Sequence, residues 1–563
     1  MTRFTLVRRS LRFYWRTHLG VLLGTALAVA ILTGALAVGD SVRHTLEQLA
    51  RARLGRTTQA LVSPEGFFRA RLADDLEAEL RALVAPVLLL RGSAARPDGR
   101  SRANDVQVAG VEDRFWMLGG TTNPLAGGGA VVTEPLANQL GLRPGDAVVV
   151  RVERPSFVSR EAPLSGRRDA TVAWRARVGS VASDREFGRF GLQANQMPPR
   201  TVFVPLSSLQ EILGRAGQAN ALLTDAAADA NAAVRARWTL ADAGLAVQGD
   251  PPVLRAARVF LEPAVARAAL AVSPDAAGAL TYFVNEIRRG DRAAPYSFVA
   301  AAGNAQRDDE ITINEWLADD LGAGVGDELT LRYFVINERR ELAERTAAFR
   351  VRAVAPLRAD PSWLPDFPGL ADAGNCRDWD PGIPLVLERI RPKDEDYWNR
   401  YRGTPKAFVT LAAGQRLWSN RFGNLTTVRY PAGMRVEPAL RASLDPSAFG
   451  LVFEPVRDRA LRASRQSLDF GQLFLGLSLF LIIAALLLTA MLFVFHLEQR
   501  HLEAGLLRAL GFPRRQLQRR QIGEAEADQG EYLRDPEEGQ VAPPVNHGES
   551  LSRPRRPPPA SWK

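Results

Sequence analysis

Cysteine is nearly absent from this chain. Cys376 is the only one in 563 residues, so no intrachain disulfide can form. That does not bar exposure outside the cytoplasm, because a chain this long buries cores that need no covalent staple. Cys376 sits in the polar stretch GNCRDWDPG, and the five histidines (His18, His44, His496, His501 and His547) lie far from it in sequence. A catalytic thiol wants a His partner, so Cys376 reads as inert. Lysine is almost as scarce: Lys393, Lys406 and Lys563 stand among 72 basic residues. None of the three follows a glycine, so there is no glycine-rich phosphate loop ending in Gly-Lys-Ser/Thr. There is no HExxH (HLEQRH at 496–501 has the wrong spacing) and no GxSxG. The chain therefore reads as not an enzyme, with no cofactor and no metal site. The net charge of +10 comes from arginines spread along the chain with acids between them. Nucleic-acid binding would need them on one face, so that partner class is set aside.

What the sequence does have is two long runs without charge. Residues 19–38 read LGVLLGTALAVAILTGALAV, and residues 470–495 read FGQLFLGLSLFLIIAALLLTAMLFVF. A helix of about 20 residues spans about 30 Å, the depth of a bilayer core. Arg3, Arg8, Arg9, Arg12 and Arg16 precede the first run, with Phe13, Tyr14 and Trp15 as an aromatic belt. Arg500, Arg508, Arg514, Arg515, Arg519 and Arg520 follow the second. The positive-inside rule puts both outer flanks in the cytoplasm and residues of about 40–468 outside. The polar residues within the runs are few (Thr25, Thr33, Ser478 and Thr489) and none ionises. A proton- or ion-coupled carrier would place charge there, so a structural or force-transmitting role is favoured.

The exported region is too long for a loop and must fold. Strand patterns (ALVSP at 60–64, DVQVAGV at 105–111, DAVVVRV at 146–152, RTVFVPL at 200–206) alternate with helical runs at 72–83 and 207–213. EPLANQLGLRPGD (134–146) aligns without gaps on EWLADDLGAGVGD (315–327), with seven of thirteen positions identical. Each copy reads as a short helix, a glycine C-cap (Gly141, Gly322), and a Gly-Asp turn (Gly145–Asp146, Gly326–Asp327) into a strand. The expected fold class is a membrane protein with two transmembrane helices. They flank a large mixed α/β extracytoplasmic region with a duplicated module, followed by a disordered tail. The expected divisions are a cytoplasmic N-terminus at 1–18, a span at 19–38 and a first subdomain with a stalk helix at 39–250. A second subdomain at 251–469, a span at 470–495, a cytoplasmic element at 496–523 and a tail at 524–563 follow.

This order, with VTEPLANQLGLRPGD, DFGQLFLGLSLFLIIAALLL and above all LEAGLLRALGFPRRQL after the second run, resembles the FtsX-like (MacB-type) permease family of ABC transporters. YWNRYRGTPKAFVTLAAGQRLWSNRFGNLT (397–426) resembles a branch with an enlarged exported domain. The resemblance implies a permease subunit of the cell inner or plasma membrane, working with an ABC ATPase subunit and pairing as a homo- or heterodimer with another permease. It implies that Glu503, Leu506, Leu507, Arg508, Leu510, Gly511 and Phe512 form the surface that meets the ATPase. Leu506, Leu507 and Leu510 share one helical face, Gly511 ends the helix, and Pro513 blocks its continuation. Residues alone leave a second reading open, a helix lying flat on membrane lipid with Arg514, Arg515, Arg519 and Arg520 at the headgroups. The resemblance departs at about residue 523. Family members continue with further spans, whereas 524–563 hold eight acids, seven prolines and no apolar run. That tail reads as disordered. The alternative to a permease is a membrane-anchored extracytoplasmic binding or scaffold protein without ATPase coupling.

Overall fold

The structure is a computed structural model. It describes residues 8–511 apart from 10, 64–65, 154–170, 194–196, 304–306, 338–340, 372 and 467–469. The expected tail at 524–563 and residues 512–523 of the cytoplasmic element lie outside the described residues. The chain divides into two units, Met1–His44 with Leu468–Lys563, and Thr45–Ser467.

The first unit is built on two long helices, α1 (Trp15–Leu54), which continues into the second unit, and the last helix of the chain, Phe470–Ala509. At 1.5 Å per residue each is about 60 Å long. They approach closely where side chains vanish: a Cβ at Gly24 would stand 2.9 Å from Thr489 Oγ1, and one at Gly20 3.6 Å from Leu492. The hydroxyls of Thr25 and Thr33 donate back to the carbonyls of Val21 and Val29, both at 2.8 Å, so neither needs an outside partner. Among the described residues no helix is long and apolar enough to cross a membrane. The two charge-free runs lie inside these helices, but many of their side chains fall outside the described set.

The second unit holds two nine-stranded sheets of matching order. Its first part runs β1 (Gln59–Val62), β2 (Phe68–Arg69), α2 (Leu72–Leu80), β3 (Val84–Ala95), β4 (Arg102–Val111), α3 (Asp113–Gly119), β5 (Ala130–Thr133), α4 (Glu134–Leu140) and β6 (Ala147–Glu153). It continues through β7 (Thr171–Ala182), β8 (Thr201–Pro205), α5 (Leu206–Leu213), β9 (Gln218–Ala219), β10 (Ala221–Thr224), α6 (Ala230–Arg237) and β11 (Leu245–Gln248). Then come β12 (Val253–Ala256), α7 (Pro263–Ala271), β13 (Ala277–Arg289), β14 (Arg292–Ala302), β15 (Glu310–Asn314), α8 (Glu315–Leu321), β16 (Glu328–Ile336) and β17 (Leu342–Ala355). The last part is α9 (Pro392–Tyr401), β18 (Ala407–Val409), α10 (Leu411–Trp418), β19 (Thr427–Arg429), α11 (Glu437–Ser443), β20 (Phe453–Glu454) and α12 (Val456–Gln466). The helix Phe470–Ala509 is α13.

In the first sheet β3-β4-β8-β5-β7-β6 form a ring, because β6 pairs back onto β3. In the second, β13-β14-β18-β15-β17-β16 close the same way through β13 and β16. Closure removes exposed sheet edges. The parallel pairs match (β4 with β8 and β14 with β18; β5 with β7 and β15 with β17), and so does an irregularity in β5 and β15. The patterns fit the burial. β6 hides Val148, Val150 and Val152 on one face and exposes Arg151 and Glu153 on the other. α5 hides Leu206, Leu209 and Leu213 at i, i+3 and i+7, each worth about 1.5–3 kcal/mol relative to exposure.

The flanking strands are exchanged. β11 follows the first ring in sequence but pairs with β12 in the second sheet, while β20 follows the second ring and pairs with β1 in the first. Between the sheets, α2 and α6 share a core with α7 and α11, through Leu76, Val234, Trp238, Val265, Leu440 and Phe453. The two rings differ in the lengths of several connections, most of all in the one that follows β7 and β17. Residues 183–200 join β7 to β8, but the corresponding link 356–406 is much longer and buries Phe367, Cys376, Trp379 and Trp398 against the second ring.

Candidate functional site

The residues expected to meet an ATPase sit at the end of α13. The sequence reads a separate short helix after the second charge-free run, whereas the structure carries one helix unbroken to Ala509. No glycine C-cap or proline interrupts Phe470–Ala509, so hydrogen bonding propagates through the junction. Leu506 and Leu510 are 67% and 68% exposed and lie one turn apart on one face. Leu510 N–H donates to Leu506 O at 3.1 Å, and Gly511 N–H to Arg508 O at 3.0 Å. Gly511 has φ 87°, a left-handed conformation that favours glycine and ends the helix. Arg508 is exposed in the last turn. Glu503 and Leu507 have helical backbone with side chains outside the described set, and Phe512 lies outside the described residues.

The duplicated turns coincide in hydrogen-bond detail. Gly141 (φ 64°) and Gly322 (φ 60°) end α4 and α8 in left-handed conformation. Leu142 N–H donates to Ala137 O at 2.9 Å, and Ala323 N–H to Ala318 O at 2.8 Å. Gly145 N–H donates to Val178 O, and Gly326 N–H to Val351 O, each at 2.7 Å. The Asp146 carboxylate accepts from Arg143 N–H at 3.0 Å, and the Asp327 carboxylate from Gly324 N–H at 2.7 Å. The Gly324 N–H, with Arg289 3.0 Å away, holds the Asp327 carboxyl below its usual range. Each turn ties a helix end to the strand that closes its ring, which is a structural task.

A cluster that no motif announces lies where the long link meets the second ring. Lys406, 4% exposed, precedes β18. Its ammonium stands 4.1 Å from the Trp316 ring centre, 4.9 Å from that of Tyr397, and 3.5 Å from Asp394 Oδ1. Arg391 binds both Asp394 oxygens, at 2.7 and 2.9 Å, and reaches Asp320 at 2.6 Å. Lys393 also bonds Asp320. Tyr397 Oη donates to Thr404 O and accepts from Asn314 Nδ2, both at 3.0 Å. Burial pushes the Lys406 ammonium down to about 8, against the pull of Asp394. Burial works the other way on Asp394, yet Arg391 and Lys406 hold its carboxyl below the usual range. The signal in the sequence is composition: one of only three lysines takes the most enclosed of these cationic positions.

Residues 19–239 match the family model of the MacB-like periplasmic core domain. The chain thus carries a MacB-like periplasmic core domain over that stretch, which ends just after α6. Two solved structures align with parts of the chain. One is the periplasmic region of MacB from Actinobacillus actinomycetemcomitans, with 12% identity over 31% of this chain and 76% of that one, at a TM-score of 0.20. The other is the extracellular domain of the noncanonic ABC-type transporter YknZ from Gram-positive bacteria, with 10% identity over 33% and 90%, also at 0.20. No curated protein matches the chain.

Proposed function

We propose that this protein is a permease subunit of an ABC transporter that transmits the motion of a separate ATPase to a large extracytoplasmic domain. The observation that carries the reading is the MacB-like periplasmic core domain at 19–239. In this reading residues 19–38 and 470–495 cross the membrane. The intervening chain, with subdomains at 39–250 and 251–469 built on a duplicated module, lies outside. The matching order of the two sheets supports the duplication. The end of α13 carries the coupling surface, with Leu506 and Leu510 as an exposed apolar step and Arg508 exposed in the same last turn. A surface of that kind buries well in a partner's cleft and poorly in water. The chain pairs with another permease within membrane lipid, and export or extraction of a substrate follows from the ATPase cycle.

Affinity purification of the full chain from its native membrane tests this. An ATP-binding subunit is expected to copurify, and Leu507→Asp or Leu510→Asp is expected to release it while leaving the amount of membrane-bound chain unchanged. Equal recovery from all three proteins removes the coupling surface. Recovery of no ATPase with wild type leaves the scaffold reading in its place.

A further inference from the structure

The duplication lets one ring be compared with the other. In the second ring β13 is buried without a break from Gly278 to Ile287, and β14 from Ala294 to Ala301. Successive strand residues point to opposite faces, so unbroken burial means that both faces are covered. The outer cover is the chain's own long link. Phe298 stacks on Phe367 and Trp398, and Phe283 meets Trp379 edge to face. Val386 N–H donates to Tyr296 Oη at 2.7 Å, and Arg389 pairs with Glu286. In the first ring the corresponding strands are open. β3 exposes Arg91, and β4 exposes Arg102, Asn104 and Asp105.

One position shows what the open face lacks. Continuing the alignment of 134–146 on 315–327 without a gap brings Arg151 onto Arg332. Arg332 has Glu286 opposite it on β13 and donates to Glu344 at 2.6 Å. Arg151 has Ser93 opposite it on β3 and Ala173 on β7. The next row across the sheet is Arg102, Ala95, Val149 and Arg175. Arg102, Arg151 and Arg175 are exposed, and among the described residues none of their side chains makes an ion pair or a hydrogen bond. Two acids stand near, Asp105 in the β4 bulge and Glu153 at the end of β6, and neither pairs with these arginines. We propose that this face, across β4, β3, β6 and β7, docks an extended acidic segment of a partner protein, much as the second ring's face takes the long link. That precedent favours a polypeptide over a phosphate polymer. The alanines, serine and valine between the arginines keep the surface low, so a chain can lie on it. Adjacent strands are about 4.8 Å apart, which puts Arg102 and Arg175 about 14 Å apart at the backbone. Side chains on one face of an extended chain recur about every 7 Å, so carboxylates at i, i+2 and i+4 match the three arginines. Each guanidinium can hold a carboxylate through two parallel hydrogen bonds. Docking of this kind needs only the duplicated fold and is independent of ATPase coupling.

The test titrates a fluorescein-labelled peptide of alternating Glu and Thr with the full chain in detergent, read by anisotropy at low salt. Saturable binding is expected, weakened about tenfold by Arg151→Gln combined with Arg175→Gln. The same change of net charge at exposed arginines elsewhere, Arg267→Gln with Arg400→Gln, is expected to leave binding unchanged. A photocrosslinking residue at Ala173 is expected to label the peptide, and one at the equivalent Thr346 of the second ring is not. All four substitutions lie on the surface, so the unfolding midpoint is expected to stay at the wild-type value, which separates lost docking from lost fold. Equal weakening by both pairs of substitutions reduces the effect to net charge and overturns the proposal. Inorganic polyphosphate that binds at Arg151 and Arg175 where the peptide does not also overturns it, and assigns the face to a phosphate polymer.

Discussion

Asp394 and Lys406 are a buried pair of opposite charge. Asp394 caps the start of α9, accepts from Arg391, and is the nearest counter-charge to a buried ammonium. Removing it leaves that ammonium uncompensated, which typically costs about 3–5 kcal/mol. Asp394→Ala is therefore expected to destabilise by that amount in urea melts, whereas Lys406→Met, which removes the desolvated charge, is expected to be neutral or stabilising. Lys406 also sets a pH dependence. Its folded value of about 8 lies below the ordinary 10.5, so between these values the unfolded chain binds a proton that the folded one has released. Stability then rises with pH across that window. Wild type is expected to gain on Lys406→Met between those pH values, measured as the difference in unfolding midpoints. Cys376 shows the limit of local reading. Its neighbours are polar, yet it is fully buried, and burial followed by the proximity of Glu395 pushes its thiol well above the usual range. The sequence identified an inert thiol by the lack of a His partner. It could not show that Cys376 and Trp379 of this stretch pack into the core of the second ring.

At the scale of elements, the Gly-Asp phrase was the most legible feature, because its physics is local. A left-handed glycine and an aspartate that caps its own turn need no distant partner. Gly141→Ala and Gly322→Ala are each expected to cost about 1–2 kcal/mol in urea melts, from the Cβ penalty in the left-handed region. At Gly322 the new methyl would meet only the far end of the flexible Arg292 side chain, which can swing aside, so similar losses are expected at the two positions. Short strands were legible for the same reason. The pattern at 146–152 became β6, and that at 200–206 became β8 with the first residue of α5. The end of α13 was less so. Its leucines were found, but as a separate helix, since the sequence offers a change of composition near 495 and no signal that the backbone ignores it.

At the scale of the whole molecule, the exchange of β11 and β20 couples the two rings. β20 supplies a two-residue pairing to β1, Ala60 with Glu454 and Leu61 with Phe453, across nearly four hundred residues of chain. Phe453 is 2% exposed within the shared core. Phe453→Ala is expected to cost about 3–5 kcal/mol. Hydrogen exchange is expected to lose protection in β1 as well as β20. Wild type is expected to unfold both rings in a single calorimetric transition; two separate transitions would show that the exchanged strands do not couple them.

The sequence by itself determined the charge-free runs, the α/β alternation and the paired helix–turn–strand phrase. Each of these is written in periodicity or in a short motif, and a dozen neighbouring residues are enough to specify it. Only the tertiary structure decided that β6 and β16 close their rings, that the outer strands change places, and that a lysine, two aspartates and an arginine converge beneath an aromatic wall. Those outcomes depend on pairing and burial between residues tens to hundreds of positions apart. The free energy of removing such groups from water is set by what covers them, not by what precedes or follows them in the chain.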